Sequence, residues 1–220
     1  MAITFPRSLP TRRFRPGSIV TLERQLVAAP TRGGIVQVAE LGTPLWRAKY
    51  QTVPMLESDG RNWEAWLDSL RGGAKFFYAL HPFRRFGQAY PNGYTGMTKH
   101  TGGAFGGVGL LDAVGVARDT ITISGLPTSL VITVGDLVSM TLSGTRRSMH
   151  RVMETVTASA GVATVTVEPT VLAGEVVGGN VFLIDPFFLA AVEQKSVRVE
   201  WGIGARCVVS FEAWQTFAAG

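Results

Sequence analysis

Cysteine is nearly absent: the chain of 220 residues has one, Cys207. A lone thiol excludes an intramolecular disulfide framework and a cysteine-based metal site. Its place inside the alternating stretch CVVSFEAW reads as a small buried apolar residue rather than a nucleophile. Long apolar runs are also missing. No stretch reaches the roughly 18 residues of a membrane-spanning helix, and the N-terminal MAITFPRSLPTRRFRPGS lacks the apolar core of a secretion signal, so the chain is expected to fold in the cytoplasm that made it. Histidine is scarce, and His81, His100 and His150 lie in separate segments with no partner at metal-ligand spacing. There is no Gly-x-Ser-x-Gly motif, and Asp112, Asp119, Asp136, Glu168 and Asp185 each fall at an expected turn or strand end, where carboxylates cap and solvate. No general acid–base pair can be named, so an enzyme is the least supported class and no cofactor is implied. Charged residues are few, 17%, with a net charge of +5. That mild excess suits an acidic partner subunit, an anionic surface or nucleic acid without choosing among them.

What is present is glycine, proline and short alternating segments. With 26 Gly, 11 Pro and 46% hydrophobic residues, the composition fits many short strands joined by tight turns. In LWRAKYQT, Trp46, Ala48, Tyr50 and Thr52 point one way and Arg47, Lys49 and Gln51 the other, a strand with one buried face. Trp63, Trp66, Leu67 and Leu70 follow the i, i+3, i+4, i+7 rule and predict a helix over 59–71 that lies as a lid on a sheet. Glu57, Ser58 and Asp59 would open that helix, and Arg71 with Gly72-Gly73 would close it. KFFYALHP, including Phe77, then reads as a buried strand over 75–81 stopped by Pro82. Further upstream, a turn at Pro30–Gly34 precedes IVQVAELG, a candidate strand.

Residues 82–112 carry too many glycines for regular structure and read as a long flexible linker. Within them GGAFGGVG lacks the Gly-Lys-Ser/Thr ending of a phosphate-binding loop. From Asp119 to Asp185, TITISG, LVITVGDLVSMTLSG, RRSMHRVMETVT, GVATVTVEP and NVFLID have near-period-two Val, Ile and Thr between turn residues, the pattern of a small sandwich or barrel. KSVRVEW and CVVSFEAW, joined by GIGAR, form an expected C-terminal hairpin, with Cys207, Val209, Phe211 and Ala213 on one face. The chain thus leaves one style and returns to it. The expected fold is mainly β: a discontinuous β-sheet assembly domain with one short helix, residues 1–112 and 186–220, and an inserted small β-sandwich or barrel domain, residues 113–185.

RSLPTRRFR, with Arg7, Arg12, Arg13 and Arg15 among prolines, reads as an extended N-terminal arm. RRFR and HPFRRFG interleave arginine with phenylalanine, which suits phosphate and base contacts but equally a protein interface, and the interface is the preferred reading. Arg7, Arg12, Arg13, Arg15, Arg47 and Lys49 are the candidate subunit-interface residues, with the arm expected to meet an acidic surface of an adjacent subunit. The strand bearing Arg47 and Lys49 would pair edge to edge with copies of itself and close a ring.

The stretch LWRAKYQTVPM…NWEAWLDSLRGGAKFFYALHPFRRFGQAYPNG resembles distal tail and tail-tip proteins of tailed bacteriophages with long non-contractile tails. Trp46, Trp63, Ser69, Leu70, Arg71, Gly72 and Phe77 follow the family pattern of a Trp-bearing strand, a helix ending in Ser-Leu-Arg-Gly and an aromatic strand. Gly135-Asp136 and Glu168-Pro169 are similar to strand boundaries of the family's β insertion, and ARCVVSFEAW to its terminal strand. The resemblance spans most of residues 30–215 and implies a ring, hexameric in expectation, that joins the tail tube to the tip or hub and host-recognition apparatus. The virion is the implied location, and no catalytic residue comes with the family. Two other classes stand beside it: a carbohydrate-binding module reading host-surface glycan through Phe105, Phe187 and Phe188, and a basic DNA-associated protein.

Overall fold

The computed structural model describes residues 3–30 and 36–218 and is mainly β. The first part of the chain supplies β1 (Arg7–Ser8), β2 (Ile19–Glu23), β3 (Leu26–Pro30), β4 (Val36–Glu40), β5 (Leu45–Gln51), the helix α1 (Glu57–Ser69) and β6 (Phe77–Leu80). The middle supplies β7 (Val108–Val114), β8 (Thr120–Ser124), β9 (Val131–Ile132), β10 (Leu137–Thr141), β11 (Arg147–Val152), β12 (Val156–Thr157), β13 (Ala163–Glu168) and β14 (Asn180–Phe182). The last part supplies β15 (Phe187–Val192), β16 (Arg198–Gly202) and β17 (Arg206–Gln215).

Strands from the two ends of the chain build one seven-stranded sheet in the order β1-β6-β15-β17-β5-β2, with β16 also paired to β17. The long β17 alternates strictly, and Cys207, Val209, Phe211 and Ala213 are buried. Opposite them on the same face lie Trp46, Ala48 and Tyr50 of β5, in register with β17 through Ala213↔Ala48 and Phe211↔Tyr50. Helix α1 covers this face. Trp63 and Trp66 meet edge to face at 5.3 Å, Trp66 meets Phe77 at 5.1 Å and Tyr50 meets Phe211 at 5.2 Å. Trp46, Tyr50, Trp63, Trp66, Leu67, Leu70 and Phe77 therefore share one buried cluster.

The helix begins two residues before the expected start. Leu56 is its N-cap and offers no side-chain hydrogen bond, so the carboxylates of Glu57 and Asp59 act only as favourable charge in the first turn. It ends at Leu70, after which Arg71 itself, at φ 49°, turns left-handed together with Gly72 and Gly73. Gly60, inside the helix, is demanded by packing: a Cβ there would lie 2.7 Å from Cys207 Cβ and 2.8 Å from Trp201 Cη2. The aromatic strand is shorter than expected, because Lys75 still belongs to the bend off the helix, Phe76 precedes the ladder and His81 has already left it.

The middle of the chain closes a six-stranded barrel, β10-β11-β13-β8-β7-β14, filled by Leu111, Ile121, Ile123, Val138, Met140 and Val165 among others. Residues read as a flexible linker do two structural jobs instead. β7 is the barrel's first strand, and Tyr94 and Phe105 from the preceding loop are buried against the barrel core. Some of the glycines that suggested looseness permit close approach: a Cβ on Gly107 would lie 2.8 Å from Ile184 Cβ, and one on Gly109 2.6 Å from Ile123 Cγ2. Barrel and sheet touch through Trp46, whose indole Nε1 donates to Met149 O at 2.6 Å, and Met149 and Leu137 belong to the sheet's cluster.

Candidate subunit interface

β2 and β5 do not stop at the sheet. They continue as the hairpin β3–β4, but the register changes across the junction, from Glu23↔Leu45 to Leu26↔Glu40, so that two residues on one side face four on the other. That mismatch bends the ribbon. The hairpin is a separate two-stranded sheet, in contact with none of the other strands through a ladder. Paired residues share a face, which places Leu26, Ala28, Val36 and Val38 on one side and Val27, Ala29 and Ala39 on the other. Neither side is covered: Leu26 is 50% exposed, Val27 49%, Val36 60% and Val38 59%. Most of the turn expected at Pro30–Gly34 lies outside the described residues.

Sequence reasoning recognised the second strand of this arm and missed the first. The signal was there, since two short runs rich in Leu, Val and Ala flank a Pro-Thr-Arg-Gly-Gly turn.

The sheet has open edges as well. Among the described residues β2 pairs only with β5 and β16 only with β17, on opposite sides of the β5–β17 pair. Trp201 of β16 is 45% exposed, with its Nε1 donating to Glu64 Oε1 at 3.0 Å. β5, expected to form the self-pairing edge, is an interior strand held on both sides and has no free ladder to offer.

The candidate interface arginines are spent mainly within the subunit. Arg47 and Lys49 pair with Glu212 across the β5–β17 ladder, and Arg47 also lies 4.7 Å over the Trp214 ring. These contacts hold the Glu212 carboxyl below its usual pKa even though burial acts the other way. The N-terminal segment is a strap rather than a free arm. Arg7 donates to Ser69 Oγ at 2.5 Å, Ser8 O accepts from Trp66 Nε1 at 2.9 Å, Arg12 pairs with Asp185, and Phe14 is buried against Tyr50 at 4.9 Å. A β pairing of Arg7–Ser8 with β6 fixes its start. Arg13 and Arg15 have no carboxylate partner among the described residues, though Arg15 N donates to Gln51 O at 2.7 Å.

No protein-family model matches the chain, and no curated protein matches it.

The three phenylalanines considered as a glycan platform do not form one. Phe105 and Phe188 are buried, and Phe187 is wedged between Tyr78 and Phe182 at 5.0 and 5.1 Å. His100 bonds Thr128, His150 is enclosed in the barrel and His81 lies at the end of β6; no cluster of metal-ligating side chains occurs among the described residues. Cys207 is buried, and burial pushes its thiol pKa up, away from nucleophilic character. No helix among the described residues is long and apolar enough to cross a membrane.

Proposed function

We propose that the chain is a non-enzymatic structural subunit that assembles with copies of itself into a closed ring in the tip of a siphophage tail, between the tail tube and the host-recognition apparatus. One observation carries the ring: the β3–β4 arm is largely apolar on both faces, with Glu40 and Gln37 as its polar ladder positions, and the apolar residues Leu26, Val27, Val36 and Val38 are exposed. An isolated two-stranded hairpin is marginal in water and gains stability when a further strand or surface packs on it, and contiguous exposed apolar surface marks an interaction site. The arm leaves the sheet beside the β2 edge, while the open β16 edge lies on the other side of β17. Two unlike edges on one subunit favour a head-to-tail contact, which closes into a ring when the rotation per subunit divides a full turn. The tail-tip assignment rests on the sequence pattern of Trp46, Trp63, Ser69, Leu70, Arg71, Gly72 and Phe77, and the packing of four of these residues, Trp46, Trp63, Leu70 and Phe77, in the α1–sheet cluster is consistent with it.

The test is sedimentation velocity on the full chain and on Val38→Lys. Val38 is exposed in the subunit, so the substitution should leave the subunit's stability nearly unchanged, within about 0.5 kcal/mol, while abolishing the assembled species. A wild-type chain that stays monomeric at every concentration, or a Val38→Lys chain that assembles like wild type, contradicts the arm's role.

A further inference from the structure

Hydrogen bonds made elsewhere in the sheet decide which way the backbone of β16 faces. The N–H of Cys207 donates to Met55 O at 3.0 Å, and the N–H of Met55 returns the bond to Cys207 O at 2.8 Å. Two residues on, Val209 O accepts from the N–H of Thr52 at 2.9 Å and Val209 N–H donates to Thr52 Oγ1 at 3.0 Å. Cys207 and Val209 thus spend their backbone groups on the side of β17 away from β16. In an antiparallel ladder the residues opposite such positions turn their own N–H and C=O outward. Those residues are Trp201, in register with Cys207, and Val199, in register with Val209. Among the described residues the backbone of neither bonds elsewhere. The free rungs end at Val197, whose N–H donates to Gln194 O and whose O accepts from Arg198 Nη1 at 2.9 Å.

The arm yields to the same reasoning. Leu41 N–H donates to Gln25 O at 2.8 Å, so alternation along the register puts the hairpin's own bonds at Val27↔Ala39 and Ala29↔Gln37. Val36, Val38 and Glu40 of β4 then carry their N–H and C=O on the outer edge. Residues opposite one another across a ladder share a face. A strand that joins Val38 to Val199 and Val36 to Trp201 therefore sets four apolar side chains together, covering three that are exposed in the subunit, Val36, Val38 and Trp201. In that register Glu40 lies beyond the last free rung.

We propose that the β16 edge is the acceptor of the arm: β4 of one copy adds antiparallel to β16 of the next, through the rungs Val38↔Val199 and Val36↔Trp201. This rests on the reading of the arm as an assembly element and names the surface it meets. The other open edge gains less, because Val20 of β2 is already buried and the subunit's own arm leaves beside it. β16 is also a poor partner for itself. A twofold pairing that joins Val199 to Trp201 in both directions puts Glu200 directly opposite its own copy, and like charges at that position repel. Against β4 the same residue meets Gln37, which is uncharged. Two rungs are too few to hold a free peptide, but in a closed assembly every copy gives one strand and takes one.

The experiment is residue-resolved hydrogen exchange on the full chain, dilute and concentrated, with sedimentation velocity reporting which species is present. The amides of Val199, Trp201, Val36 and Val38 should exchange as open backbone in the free subunit and slow together by about tenfold or more on assembly. Val199→Pro removes an outward donor that the β16–β17 ladder does not use, and it should raise the concentration needed for assembly about tenfold or more. Assembly without protection of Val199 and Trp201 overturns the docking and leaves the ring standing. Protection of β16 without β4 overturns the occupant. A wild-type chain that never assembles overturns the arm's role and the docking with it. A folded Val199→Pro chain that assembles like wild type overturns the docking alone.

Discussion

Trp66 is buried, touches Trp63, Phe77 and Phe211 through its ring, and donates through Nε1 to Ser8 O. One side chain thereby joins helix, sheet and N-terminal strap. Trp66→Ala should cost about 3–5 kcal/mol, and an unchanged thermal midpoint would show that α1 is not a lid. Gly60 makes the opposite point, because alanine there adds helix propensity worth about 1 kcal/mol yet drives a methyl into Cys207 and Trp201. Gly60→Ala should therefore destabilise, which chemical denaturation would measure directly. His150 sets a pH dependence. Its Nδ1–H donates to Pro169 O at 2.6 Å and its Nε2 accepts from Ser148 O–H at 2.5 Å, so the buried ring is neutral, and burial pushes its pKa down to about 4. An unfolded histidine takes its proton near 6.5, so between that pH and about 4 the unfolded chain binds more protons than the native one. Stability should fall as pH drops through that window, by on the order of 3 kcal/mol from this group, with His81 acting in the same direction. Urea unfolding at neutral pH and near about pH 5 checks this, and a flat stability profile would contradict it.

At the scale of elements, the strap and the arm behave oppositely under deletion. Removing residues 3–15 takes away Phe14, the Ser8 acceptor and the Arg12–Asp185 pair, so it should lower the thermal midpoint clearly. Replacing Leu26–Glu40 by a short turn removes only exposed surface among the described residues and should leave the midpoint nearly intact while ending assembly. A differential scanning measurement on both variants separates the two roles. The sequence showed helix α1, β5 and β17 because one buried face imposes a period that survives in the text. It showed β10, β11 and β13 for the same reason. β7 and the buried Phe105 were hidden because, within Gly102–Gly109, Gly107 and Gly109 serve close approach and Gly102 and Gly103 serve positive-φ turns, and composition alone cannot distinguish these from looseness. The strap was hidden because Phe14 is a single apolar residue among arginines and prolines, and its burial depends on a sheet assembled from the other end of the chain.

At the scale of the molecule, the sheet draws on both ends of the chain and the barrel on its middle, and Trp46–Met149 ties them together. Two buried clusters follow from that division, but Leu137 and Met149 of the barrel complete the cluster of the sheet. Excising the barrel should therefore uncover Trp46 and destabilise the sheet, and a red-shifted tryptophan fluorescence maximum would report it. The proposed ring makes a stronger demand on the whole subunit: an arm leaving beside one edge must find a surface on the next copy, and the last copy must meet the first. Electron microscopy of the full chain, concentrated until the sedimenting assembly dominates, tests this most directly. Class averages should show a closed ring of identical subunits, absent from the Val38→Lys chain. Open filaments, twofold dimers, or rings that persist in Val38→Lys would contradict it.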